Sequence, residues 1–117
     1  MAAPGGAESD TYSCLVYLQV SEVGTDGGVL RQFSGSRLIP LGSPEHIAVD
    51  SRGNIFVEDG YNGRILLLDR RLKLRRVVID EHQLSYMGPG RLCYMEQSGH
   101  LLIGFNARVA VFDVLRR

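Results

Sequence analysis

The chain has 117 residues, with 13 Lys+Arg balanced by 13 Asp+Glu and 44% hydrophobic content. That is room for one small domain, and zero formal charge excludes a globally basic nucleic-acid binder. With 22% charged residues and ordinary aliphatic content, wholesale disorder is excluded as well.

Fourteen glycines, four prolines and no tryptophan predict short strands joined by tight turns, an all-β composition. Residues 1–12, opening MAAPGGAESD, are small and acidic and predict a disordered tail. They lack the positive start and apolar run of a secretory signal. The longest aliphatic stretch, Ile65 to Leu68, is far from the roughly 18 residues of a membrane span.

SCLVYLQV at 13–20 reads as one strand, and GGVLRQF at 27–33 as a second after a glycine turn. His46 to Asp50 is the next strand, then a Ser-Arg-Gly-Asn turn, Ile55 to Val57, a loop, and Ile65 to Leu68. Leu72 to Ile79 follows, rich in charge as suits an outermost strand with an edge to protect. Arg91 to Met95, Leu101 to Ile103 and Val109 to Phe112 complete about nine strands. The runs ILLL, LLI and VAVF are nearly continuous in apolar residues, which predicts sheets covered on both faces.

Six of the last seven strands form two copies of a repeat, with Leu72 to Ile79 between them. SPEHIAVDSRGNIFVEDGYNGRILLLD at 43–69 is echoed by GPGRLCYMEQSGHLLIGFNARVAVFD at 88–113. Pro44 recurs as Pro89, Gly53 as Gly99, Arg64 as Arg108 and Asp69 as Asp113, at spacings of 44 to 46 residues. That period is the length of a propeller blade. The predicted fold is therefore a partial β-propeller of about two to three blades, each a four-stranded antiparallel meander, too few for a closed ring. Residues 13–42 supply the third and fourth strands of one blade and a linker, 43–80 a whole blade, and 81–117 a second blade lacking its outer strand. Both terminal sheets would then expose edges and apolar faces, to be met by missing blades or by self-association.

PEHIAVDSRGNIFVEDGYNGRILLLD resembles an NHL repeat, with the pattern Pro-x-x-Ile-Ala-Val-Asp, a Gly-Asn turn and Asn-x-Arg-Ile before a strand ending in Asp. The resemblance spans roughly residues 13–113. The second copy departs from the pattern, with Tyr94 and Met95 replacing the Val-Asp pair and no counterpart to Glu58 and Asp59. It implies a module like the C-terminal propeller of tripartite-motif (TRIM-NHL) proteins, which binds single-stranded RNA or protein through a loop face. The chain would then be a fragment of a larger cytoplasmic protein, non-catalytic and without cofactor. A piece of a propeller lyase or lactonase and a truncated product without activity are the alternatives.

Two loop groups carry the binding chemistry: Tyr61, Asn62 and Arg64 in one copy, Phe105, Asn106 and Arg108 in the other. Each joins a ring for base stacking, an amide for a base edge and a guanidinium for phosphate. In similar propellers these loops share one face with the turns entering the first strand, and that resemblance would add His46 and Arg91. The structural alternative has Arg64 tied to Glu58, Asp59 or Asp50, and the Asn-Gly pair chosen for its turn geometry. RRLKLRR at 70–76 sends alternate side chains to opposite faces, so edge protection and solubility explain it better than a single patch. Cys14 and Cys93 are expected to be buried reduced thiols, and His46, His82 and His100 lie too far apart in sequence to suggest a metal site.

Overall fold

The computed structural model describes residues 11–16, 19–37, 39–84, 90–105 and 107–114. Among the described residues, ten strands form three antiparallel sheets in chain order. The first sheet holds β1 (Thr11–Val16), β2 (Gln19–Gly24) and β3 (Val29–Phe33); the central sheet β4 (Pro44–Val49), β5 (Ile55–Asp59), β6 (Arg64–Leu68) and β7 (Leu74–Ile79); the last sheet β8 (Arg91–Met95), β9 (His100–Phe105) and β10 (Arg108–Asp113). A single turn of helix, α1 (Glu81–Leu84), precedes the last sheet. Asp80 starts it, accepting the Gln83 N–H at 2.9 Å while Gln83 returns its side-chain oxygen to the Asp80 N–H at 3.0 Å.

Three turns are built alike. In 24–28, 50–54 and 69–73 the first residue's N–H bonds the fifth residue's carbonyl at 2.9 to 3.0 Å, and the fourth residue's N–H returns to the first residue's carbonyl. The fourth residue has positive φ each time: 85° at Gly27, 85° at Gly53 and 63° at Leu72. Asp50 and Asp69 reinforce their turns, each accepting two backbone N–H groups through Oδ1 at 2.8 to 3.0 Å.

The central sheet is covered on both faces, and β5 is buried along its whole length. One face joins Ile55, Val57, Leu66 and Leu68 to Val20 and Phe33 of the first sheet; the other joins Phe56 and Ile65 to Leu101 and Ile103 of the last. Burial of this kind stabilises by about 1.5–3 kcal/mol per large side chain, which is why the near-continuous ILLL run settles here; the VAVF run of β10, expected to be covered on both faces, leaves Val109 and Val111 exposed because among the described residues no sheet packs on that side.

Each sheet passes to the next by a crossover from its edge strand to the opposite edge of its neighbour, β3 to β4 and β7 to β8. β4 packs beside both β1 and β8. This is the connectivity of successive propeller blades, and the three sheets do not close into a ring.

Several expectations are corrected. The run 13–20 is not one strand: Val16 pairs with Gln19, so the chain reverses between them and makes β1 and β2. β1 also takes in Thr11 and Tyr12, assigned above to the tail; 1–10 lie outside the described residues. The first sheet thus carries three strands, equivalent to β5, β6 and β7, since its turn at 24–28 recurs 45 residues later at 69–73. Leu72 belongs to that turn and the outer strand begins at Leu74. The free thiols are not buried: Cys14 is half-buried on β1, and Cys93 is exposed because the last sheet is covered on one face only and β8 turns Arg91, Cys93 and Met95 outward.

Candidate functional site

At the end of the central sheet where β4 and β6 begin, two adjacent carboxylates of β5 organise the loops. Asp59 is fully buried. It accepts the backbone N–H of Gly42 at 3.1 Å and of Ser43 at 2.8 Å, the Asn62 side-chain amide at 2.7 Å and Arg64 Nε at 3.2 Å. Arg64 also donates Nη2 to the Pro40 carbonyl at 2.6 Å. Glu58 takes His46 Nδ1 at 2.7 Å on one oxygen and the Gly90 N–H at 2.9 Å on the other, fastening the entry of the last sheet to the central one.

Of the sequence-predicted site residues, His46, Asn62 and Arg64 are therefore held by buried carboxylates. Tyr61, between them, is 82% exposed. Gly42 passes close to this loop, where a Cβ would come within 2.9 Å of the Tyr61 Cβ, so the approach is open to glycine alone. Arg91 and Arg108 begin β8 and β10, are exposed, and make no ion pair with a described residue. The Phe105 side chain and Asn106 lie outside the described residues. What this face presents is a ring on a hydrogen-bonded loop with two guanidiniums on the adjoining sheet that have no ion-pair partner among the described residues.

The opposite end carries two cavities that sequence reasoning missed. One, of about 590 Å³, lies between the first and central sheets and gathers Arg31, Arg52, Arg70 and Arg71. The other, of about 330 Å³, lies between the central and last sheets and holds Asp50, Arg76, Tyr94 and Glu96. Tyr94 stacks on Phe56 with ring centroids 4.9 Å apart, and burial, then the nearby Glu96 and Asp50 charges, raise its hydroxyl pKa above the ordinary value of 10.0. The cavities occupy equivalent places, with Arg31 in one and Arg76 in the other, 45 residues apart. That recurrence was present in the sequence at the spacing of Pro44 and Pro89. The RRLKLRR run is divided between them, Arg70 and Arg71 to the larger and Arg76 to the smaller, so it forms no single patch.

Among the described residues no group of three or more His, Cys, Asp or Glu side chains is placed to hold a metal ion, and no helix is long and apolar enough to cross a membrane. Compared with known proteins, the sequence matches no family model and no curated protein.

Proposed function

We propose that this chain is a non-catalytic binding module, part of an NHL-type propeller in a larger protein, that holds single-stranded RNA on the loop face around Tyr61. The observation that carries the reading is the exposed Tyr61 ring on a loop locked by Asp59, with Arg91 and Arg108 at the same end of the sheets and without an ion-pair partner among the described residues. A fixed aromatic loses little freedom when a base stacks on it, and guanidiniums beside it neutralise the phosphates of the bound strand. His46, Asn62 and Arg64 act one step back, as the residues that hold the platform. The reading places the module in the cytoplasm, where its two free cysteines stay reduced. Strands of the parent protein would complete its terminal sheets.

Tyr61→Ala combined with Arg91→Ala and Arg108→Ala tests this. All three side chains are exposed, so the melting temperature is expected to hold. Affinity for a single-stranded RNA library in a shift assay is expected to fall about tenfold or more, the scale of one lost stacking contact. Unchanged affinity in the folded triple variant would refute the assignment.

A further inference from the structure

We infer that the cleft between the first and central sheets is a binding site for a small ligand bearing two or more phosphate groups, separate from the Tyr61 face. Four arginines line it and Glu22 is the sole acid among its lining residues. Glu22 pairs with Arg31 at 2.7 Å, which leaves the guanidiniums of Arg52, Arg70 and Arg71 without an ion-pair partner among the described residues.

Those three arginines stand on built turns. Arg52 belongs to the 50–54 turn, Arg70 and Arg71 to the 69–73 turn, and the two turns press together where Gly53 leaves only 3.0 Å between its would-be Cβ and the Arg70 Cβ. Asp50 and Asp69, the acids of the same turns, spend their Oδ1 atoms on backbone N–H groups, including those of Arg52 and Arg71. They pin the arginine backbones and form no salt bridge with the arginine heads. Ser13 adds a hydroxyl to the wall.

The equivalent cavity on the other face supplies the contrast. There two acids, Asp50 and Glu96, face Arg76 and Arg52, the latter lining both cavities; Glu96 is bonded to Ser51 at 2.9 and 3.0 Å, and Arg76 donates to the Val114 carbonyl at 3.2 Å. Packing two sheets therefore does not require an excess of cations, whereas the larger cleft keeps three arginines to one acid among its lining residues even with Arg52 left to the smaller cavity. Converging planar guanidiniums suit the several oxygens and high charge of a phosphorylated ligand, and a cavity of about 590 Å³ falls in the size range of small-molecule sites.

The test is calorimetric titration of the chain with inorganic pyrophosphate, with citrate as a polyanion lacking phosphorus. One saturable pyrophosphate site per chain is expected, weakened about tenfold by each of Arg52→Gln, Arg70→Gln and Arg71→Gln, the size of one lost charge-assisted hydrogen bond. Arg75→Gln removes the same charge outside the cavity and is expected to leave affinity unchanged. Absence of a saturable site, equal loss in Arg75→Gln, retained affinity in the three cavity variants, or citrate binding as tightly as pyrophosphate would each overturn the proposal. Because the Tyr61 face contributes nothing to this titration, its failure and the failure of the RNA reading are told apart.

Discussion

Asp59 shows how much one side chain can organise. Fully buried, it satisfies two backbone N–H groups and two side chains that would otherwise be orphaned, and removing one partner of such a buried pair typically costs about 3–5 kcal/mol. The acidic pair in FVEDG was legible as a partner for Arg64; its hold on Gly42 and Ser43 was not, because those residues approach only when β4 doubles back beside β5. Asp69 works at the surface in a simpler way. Backbone N–H donation, chiefly from Lys73, keeps its carboxyl below the ordinary value of 3.8, against a smaller opposing effect of burial. A depressed folded pKa means stability present above 3.8 and lost as pH falls from there through the folded value. Asp69→Asn is therefore expected to melt below the native chain at neutral pH, with the gap closing below pH 3.8. A gap constant across a pH series of melts would contradict this.

At the scale of elements, the hairpin turns explain both what sequence reading recovered and where it slipped. Gly53 signalled its turn because a left-handed φ of 85° is open to glycine. Leu72 occupies the equivalent place at φ 63° and gave no such signal, so the outer strand was started two residues early. Its strain, about 1 kcal/mol, is offset by burial in the core with Ile55 and Leu68. Leu72→Gly relieves the strain and loses a buried side chain valued at about 1.5–3 kcal/mol, so a net destabilisation of about 1 kcal/mol is expected. Gly53→Ala gains nothing, meets the Arg70 Cβ at 3.0 Å and is expected to destabilise by at least as much. Urea unfolding of the two variants checks both values. The split of 13–20 into β1 and β2 was illegible for a related reason: SCLVYLQV contains no Gly, Pro, Asn or Asp to announce the reversal between Val16 and Gln19.

For the whole molecule, the deciding fact is that three sheets provide two internal interfaces and leave two outer faces. Val109 and Val111 of β10 are 62% and 59% exposed, and Tyr12, Val29 and Leu30 are exposed on the first sheet. Val109→Lys with Val111→Lys is expected to change the melting temperature by no more than a surface substitution does, and to raise solubility by breaking the apolar patch. A melt lowered by many degrees would show those valines to be packed in solution. The amino-acid sequence alone was enough for the all-β class, the blade period and the four strands of the central sheet, and it offered pairing with Glu58, Asp59 or Asp50 as one of two readings of Arg64. These follow from local pattern: apolar runs of strand length, turn residues between them, and a repeat that sets the spacing. Only the tertiary structure decided which apolar runs are covered, that Cys93 faces outward, that Asn62 and Arg64 hold a loop while Tyr61 is left free, and that Arg31, Arg52 and Arg70 meet in one cleft. Those outcomes depend on which sheets pack face to face, and contacts between residues tens of positions apart leave no mark on either segment alone.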